Sequence, residues 1–199
     1  MRSRVAVAVV LAVAVLAGGG RASALDLSAV TLQLGAPVAA SGSQWSGGSL
    51  SGSVALDLRG RGAVTPVALL GSLRGLEGGD QYERNELSCE YLVAAARFTS
   101  RPLGAARAYL LIGGGLLRAD NRASIYIFGS GRGEIVQSAN TGATALVAAG
   151  AILALPASRV AIVVEVAALV PSTSVPAPGT GDVGRQLVAS AGVRVPLVR

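Results

Sequence analysis

Six charged residues stand inside otherwise apolar stretches of this 199-residue chain: Asp57, Arg59, Glu90, Arg107, Glu165 and Arg194. Carboxylates and guanidiniums placed in this way can pair as a structural plug in a closed interior, line a path for ions, or, as two carboxylates, divide acid and base duty. The plug is the expectation here, with Glu165 tied to Arg107 or Arg194, because nothing else in the chain supplies catalytic partners. All 17 basic residues are Arg, and there is no Lys and no His. Without Lys there is no phosphate-loop lysine and no Schiff base. Without His, the usual general base and the commonest metal ligand are missing.

The remaining chemical candidates also have bland readings. The segment from Glu77 through Asp80, Glu83 and Glu86 holds enough carboxylate oxygen for a hard cation, but it lacks the D-x-[DN]-x-[DN]-G spacing and reads as a solvated loop. Cys89 is the one cysteine, so no intramolecular disulfide exists, and it is expected as a small apolar side chain, buried or facing lipid. Neither Gly129 to Gly133 nor Gly113 to Gly115 is a phosphate cradle; the latter fits close packing or bending of a strand. Pro171 to Pro178 reads as a stiff polar loop. No catalytic, cofactor-binding or metal-ligating residue is therefore assigned, no cofactor is implied, and the chain is not expected to be an enzyme.

The elements that must position these charges are strands. Apolar residues make up 51% of the chain while aromatics make up only 4%, so Ala, Val, Leu and 27 Gly carry the hydrophobicity. Such a mixture suits strands more than long helices. Residues 1–24 are set apart: Arg2 and Arg4, then an apolar run from Val5 to Leu16, then Ala22-Ser23-Ala24, form the three parts of a secretory signal cleaved before Leu25. Without the leader, 14 Arg remain against 11 acids, a balance of +3, and they are scattered instead of clustered. That argues against a nucleic-acid partner.

Residues 25–199 divide into eight candidate strands: 25–34, 49–59, 63–74, 87–98, 105–117, 142–154, 159–170 and 185–197. Short connections at Arg59 to Gly62, Thr99 to Gly104 and Leu155 to Ser158 alternate with long ones at 35–48, 75–86, 118–141 and 171–184. Short turns at one rim and long loops at the other are the pattern of an antiparallel up-and-down barrel crossing an outer membrane. Segment 118–141 reads as a hairpin reaching beyond the membrane, or else as two further spanning strands.

Alternation supports this reading in three strands. Val160, Ile162, Val164 and Val166 oppose Arg159, Ala161, Val163 and Glu165; Leu187, Ala189, Ala191, Val193, Val195 and Leu197 oppose Gln186, Ser190, Gly192 and Arg194; and Val54, Leu56 and Leu58 oppose Ser53, Asp57 and Arg59. Strands four and six are nearly apolar on both faces, so their pattern assigns no inward side. If Val160, Ile162, Val164 and Val166 point outward, the barrel belongs in lipid. If they point inward, the rival reading holds, a soluble secreted or periplasmic barrel binding an apolar ligand.

With the leader, the eight alternating segments and the alternating loop lengths, the chain resembles the small outer-membrane β-barrels typified by the OmpA, OmpX and OmpW domains. The resemblance covers residues 25–199 and is one of architecture. It implies an eight-stranded transmembrane barrel, outer-membrane lipid and the barrel assembly machinery as partners, and a non-enzymatic structural, surface-interaction or narrow-pore role. Two features depart from that pattern: the chain ends on Val195, Leu197 and Arg199 where an aromatic is usual, and its strand aromatics are only Tyr91, Phe98 and Tyr109.

Overall fold

The computed structural model describes residues 27–40, 50–59, 62–77, 83–127, 132–172 and 185–197. The signal-peptide reading, Trp45, Asp80 to Tyr82 of the carboxylate-rich loop, Gly129 to Gly131 and most of the Pro171 to Pro178 tract lie outside them. The elements are β1 (Leu27–Ala40), β2 (Leu50–Leu58), β3 (Val64–Glu77), β4 (Glu83–Thr99), β5 (Ala106–Ile127), β6 (Arg132–Ala154), β7 (Ala161–Pro171) and β8 (Gln186–Pro196). Each strand pairs antiparallel with its chain neighbours, and β1 pairs with β8, so the sheet closes into an eight-stranded barrel. Closure leaves no open edge in the ring, the usual solution for a sheet of this size.

The strand count and alternating connections match the sequence reading. The strand lengths do not. β5 and β6 run unbroken through residues read as a loop, pairing in register from Ala106↔Leu153 to Ile127↔Arg132. Polar residues such as Arg118, Asp120 and Asn121 end the lipid-compatible stretch but leave the backbone ladder intact, because ladder hydrogen bonds need no apolar side chain. The segment is thus the extended hairpin and not a further pair of spanning strands. β3 and β4 lengthen beside it, to Glu77↔Asn85, while β7 stops at Pro171, paired to Thr144. Among the described residues β6 therefore carries an edge without β7 pairing from Arg132 to Gly142.

At the opposite rim the connections are tight. Leu155 accepts a hydrogen bond from the Ser158 amide at 3.2 Å. Between them, Pro156 supplies the fixed φ of a turn's second position, and Ala157 takes the left-handed conformation at φ 58°. Gly104 has φ 63° in the β4–β5 connection. A side chain would be strained there.

Candidate functional site: the lumen and the outer wall

Period two places odd and even residues of each strand on opposite faces of the barrel wall. On β7, Ala161, Val163, Glu165, Ala167 and Leu169 are buried, whereas Ile162, Val164 and Val166 are 38%, 42% and 45% exposed. β8 repeats this: Gln186 and Val188 are buried, while Leu187, Val193 and Val195 are exposed. The structure also orients the two strands whose inward face the sequence leaves open. β4 turns Cys89, Tyr91, Val93 and Arg97 inward, and β6 turns Thr144, Leu146, Ala148 and Ile152 inward. Every strand adds a large aliphatic residue to the exposed face, including Leu32, Leu50, Leu70, Leu92, Ile112 and Val147 on the first six.

The inside is filled. Leu73, Leu111, Leu117, Leu146 and Leu169 are fully buried, with Val93 and Val163 beside them, so much of the lumen is a packed aliphatic core. Cys89 belongs to it, buried with no exposure. Tyr91 and Tyr109, which the sequence groups with Phe98 as strand aromatics, face inward; Phe98 alone of the three is exposed on the wall. Each tyrosine lies over a glycine of the adjoining strand. Gly71 pairs with Tyr91 and Gly150 with Tyr109, and a Cβ on either glycine would collide with the opposing ring. Glycine is required at these two places because the ring occupies its side-chain space.

Toward the short turns lies a connected polar group. Asp57 is wholly buried and receives two guanidiniums. Arg97 donates from Nη1 to both carboxylate oxygens at 2.5 Å, and Arg194 donates to Oδ2 from Nη2 at 2.7 Å and from Nε at 3.0 Å. The Arg97 guanidinium also stands over the Tyr109 ring, 5.1 Å from its centroid, a favourable cation–π distance. Tyr109 in turn donates its hydroxyl to Glu165 Oε2 at 2.7 Å. Two carboxylates and two guanidiniums are thus linked across five strands, β2, β4, β5, β7 and β8, with both guanidiniums on Asp57 and Glu165 held by the Tyr109 hydroxyl. Buried charges persist only when paired and hydrogen-bonded in this manner.

Of the six strand charges picked out by sequence, the structure brings three into this group: Asp57, Glu165 and Arg194. The expected pairing of Glu165 with Arg107 or Arg194 is not what forms. Its hydrogen bond comes from Tyr109, because Arg194 is spent on Asp57 and Arg107 lies at the exposed mouth of the barrel. Glu90 is exposed on the outer-wall face, in register with Arg118, and Arg59 is exposed just beyond β2. The residue that sequence reasoning missed is Arg97. Its signal is its place in strand four, an even number of residues from Tyr91 and an odd number from Glu90, which puts the two charges of that strand on opposite faces.

No protein-family model matches the sequence, and no curated protein does. Among solved structures, the chain is similar to the Neisserial surface protein A, with a TM-score of 0.54 at 18% identity over 85% of this chain and 96% of that one. It is also similar to Ail, the attachment invasion locus protein of Yersinia pestis, with a TM-score of 0.50 at 11% identity over 84% of this chain and 97% of that one. At these identities the likeness is one of fold: the chain has the closed, eight-stranded, all-β architecture of small outer-membrane barrels.

Proposed function

We propose that this chain is an exported, non-enzymatic protein of the bacterial outer membrane, with its short turns, the start of β1 and the end of β8 on the periplasmic side and its long hairpins outside the cell. The observation that carries this reading is the outward face of the closed ring, where aliphatic side chains on all eight strands are exposed. In water such a surface would far exceed the apolar patches that monomeric proteins tolerate, whereas in lipid it is the required solvent match. The fold shared with the Neisserial and Yersinia proteins supports it. The rival soluble reading needed Val160, Ile162, Val164 and Val166 to point inward; the last three are exposed on the outer wall instead, while Val160, just before β7, is half-buried.

The task proposed for the barrel is surface interaction. β3 to β6 extend past the point where β7 ends, and β6 offers a row of backbone groups from Arg132 to Gly142 without β7 pairing among the described residues. An edge of that kind takes an added strand from a partner through main-chain hydrogen bonds. Outer-membrane lipid and the barrel assembly machinery are the other partners of this proposal. Fractionation with an electrophoretic shift assay tests it: the protein should sediment with outer membranes and run at different mobility before and after boiling in detergent. A soluble protein with unchanged mobility would end the proposal.

A further inference from the structure

The two ends of the barrel differ in charge. On the loop side the strands carry Glu77, Glu83, Glu86, Glu90, Asp120 and Glu134 along with their arginines. On the turn side the described residues include Arg59, Arg97, Arg101, Arg107, Arg159 and Arg194, and the nearest carboxylates among the described residues are the buried Asp57 and Glu165. Within this cationic end is a cavity of about 370 Å³, walled by the three tight turns and the last residues of β8. Arg97, Arg107, Arg159 and Arg194 all line it, with the hydroxyl-bearing Thr65 and Thr99 between them and, among the described residues, no Asp or Glu on its walls.

The arginines are not exhausted by the lumen network. Arg97 is 4% exposed and gives both of its bonds to Asp57 from one nitrogen, Nη1; its buried Nε has no hydrogen-bond partner. Among the described residues neither Arg107 nor Arg159 makes a hydrogen bond or ion pair, and both are exposed. Arg107 is also at a position of inward parity, two residues before the buried Tyr109, so its side chain starts on the lumen side. Four guanidiniums against the two carboxylates of the network leave a surplus of two cations in a concave, partly desolvated mouth. Planar guanidinium forks match tetrahedral oxyanions with paired hydrogen bonds. A surplus of two favours a multiply charged phosphate over a single carboxylate.

We infer that the turn-side mouth of the barrel is a binding site for a phosphate-bearing anion, held by Arg107 and Arg159 at the rim and by Arg97 and Arg194 at its floor. Two sources carry this chemistry: the headgroup of an anionic phospholipid in the periplasmic leaflet, and a free phosphate or diphosphate. The lipid source rests on the membrane reading above, whereas the anion site itself does not.

The test uses the refolded protein in zwitterionic detergent, titrated calorimetrically with inorganic pyrophosphate. Saturable binding is expected, weakened roughly tenfold or more in a variant combining Arg107→Gln and Arg159→Gln, since at least one charge-assisted hydrogen bond from each is lost. Arg101→Gln, on the same rim but outside the cavity, should bind as the parent does. All three substitutions are at exposed positions, and an unchanged electrophoretic shift on boiling verifies that the variants fold. Absence of saturable binding, or an equal loss in Arg101→Gln, overturns the site. Native mass spectrometry from nanodiscs of phosphatidylcholine with phosphatidylglycerol then separates the sources. Retained phosphatidylglycerol that the double variant loses identifies the headgroup, and pyrophosphate binding without retained lipid identifies the free anion. A protein that fails to float with lipid vesicles yet still binds pyrophosphate removes the membrane reading and keeps the anion site.

Discussion

Asp57 is the residue on which the buried charges converge. Its two oxygens answer one guanidinium from β4 and one from β8, so among the described residues no other side chain leaves so much charge unmatched when removed. Asp57→Ala should lower stability by about 3 to 5 kcal/mol, the cost of stranding a buried partner. Glu165→Gln should cost less than about 1.5 kcal/mol, because an amide oxygen still accepts the Tyr109 hydroxyl. Urea unfolding in detergent micelles measures both, and the reverse order would mean that Asp57 is not the hub. A second residue-scale expectation concerns Gly150, whose side-chain space is filled by the Tyr109 ring and the Val164 carbonyl oxygen. Gly150→Val should destabilise by about 1 to 3 kcal/mol through overpacking. Gly114→Val, where a Cβ meets nothing nearer than 3.6 Å, should be close to neutral in the same assay. None of these partnerships is readable from the chain. Tyr109 and Gly150 meet through the register of a long hairpin, and Asp57 and Arg194 through the stagger of strands far apart in sequence, whereas the charge of each residue and its parity within its own strand are plain.

A single strand such as β7 shows what alternation does encode. Its two faces meet different media, so they should have opposite sensitivities. Val164 faces outward, 42% exposed. Val164→Arg should therefore cost about 2 to 4 kcal/mol of insertion into lipid, whereas Val164→Phe should be accepted. Val163 is 1% exposed in the packed lumen, so Val163→Phe should fail for want of space. Folding into phospholipid vesicles, followed by the electrophoretic shift, reads all three. Equal tolerance of Phe at both positions would mean the faces are wrongly assigned. Alternation is legible in β7, β8 and β2 because an aliphatic outer wall on one side and polar or charged residues on the other give contrast. In β4 and β6 the lumen is as aliphatic as the wall, so no contrast is written. Strand ends are hard to read for a related reason: hydropathy marks where apolar side chains stop, and β5 and β6 continue well past that level. The stretch of β6 without β7 pairing, at the usual rise per residue, adds roughly 35 Å of strand.

For the whole molecule, the decisive property is that the ring is closed and its interior occupied. Eight strands leave room for side chains alone, and here five fully buried leucines pack the lumen beside the charged group. Purified protein in planar bilayers should give small currents or none. Large, stable, porin-like conductance would require an interior different from this one. Strand number and the alternation of short and long connections are legible because they follow from chain direction and a two-sided environment. The unequal distribution of charge between the two rims is not, because net charge summed along a sequence hides a polarity that emerges only when every second connection is brought to the same end.

β1 and β8 run side by side from Ala29↔Pro196 to Ala40↔Gln186, and the Leu197 amide donates to the Ser28 carbonyl at 2.9 Å. The first and last strands are therefore neighbours like any other pair, and in the closed ring no strand is privileged as beginning or end. A circularly permuted chain, with Ser28 and Leu197 joined by a few glycines and new termini opened between β3 and β4, should refold in detergent to the same heat-sensitive barrel. The tie between Asp57 and Arg194, which now spans 137 positions, would become a local contact across the new junction. Contacts close in sequence form at less cost in chain entropy, but the permutation only moves the long-range seam from β1 and β8 to β3 and β4, and the tie between Asp57 and Arg97, now 40 positions, becomes the distant one. The permuted chain should therefore refold at about the parent's rate, and a large change would mark one of these two pairings as the slow step.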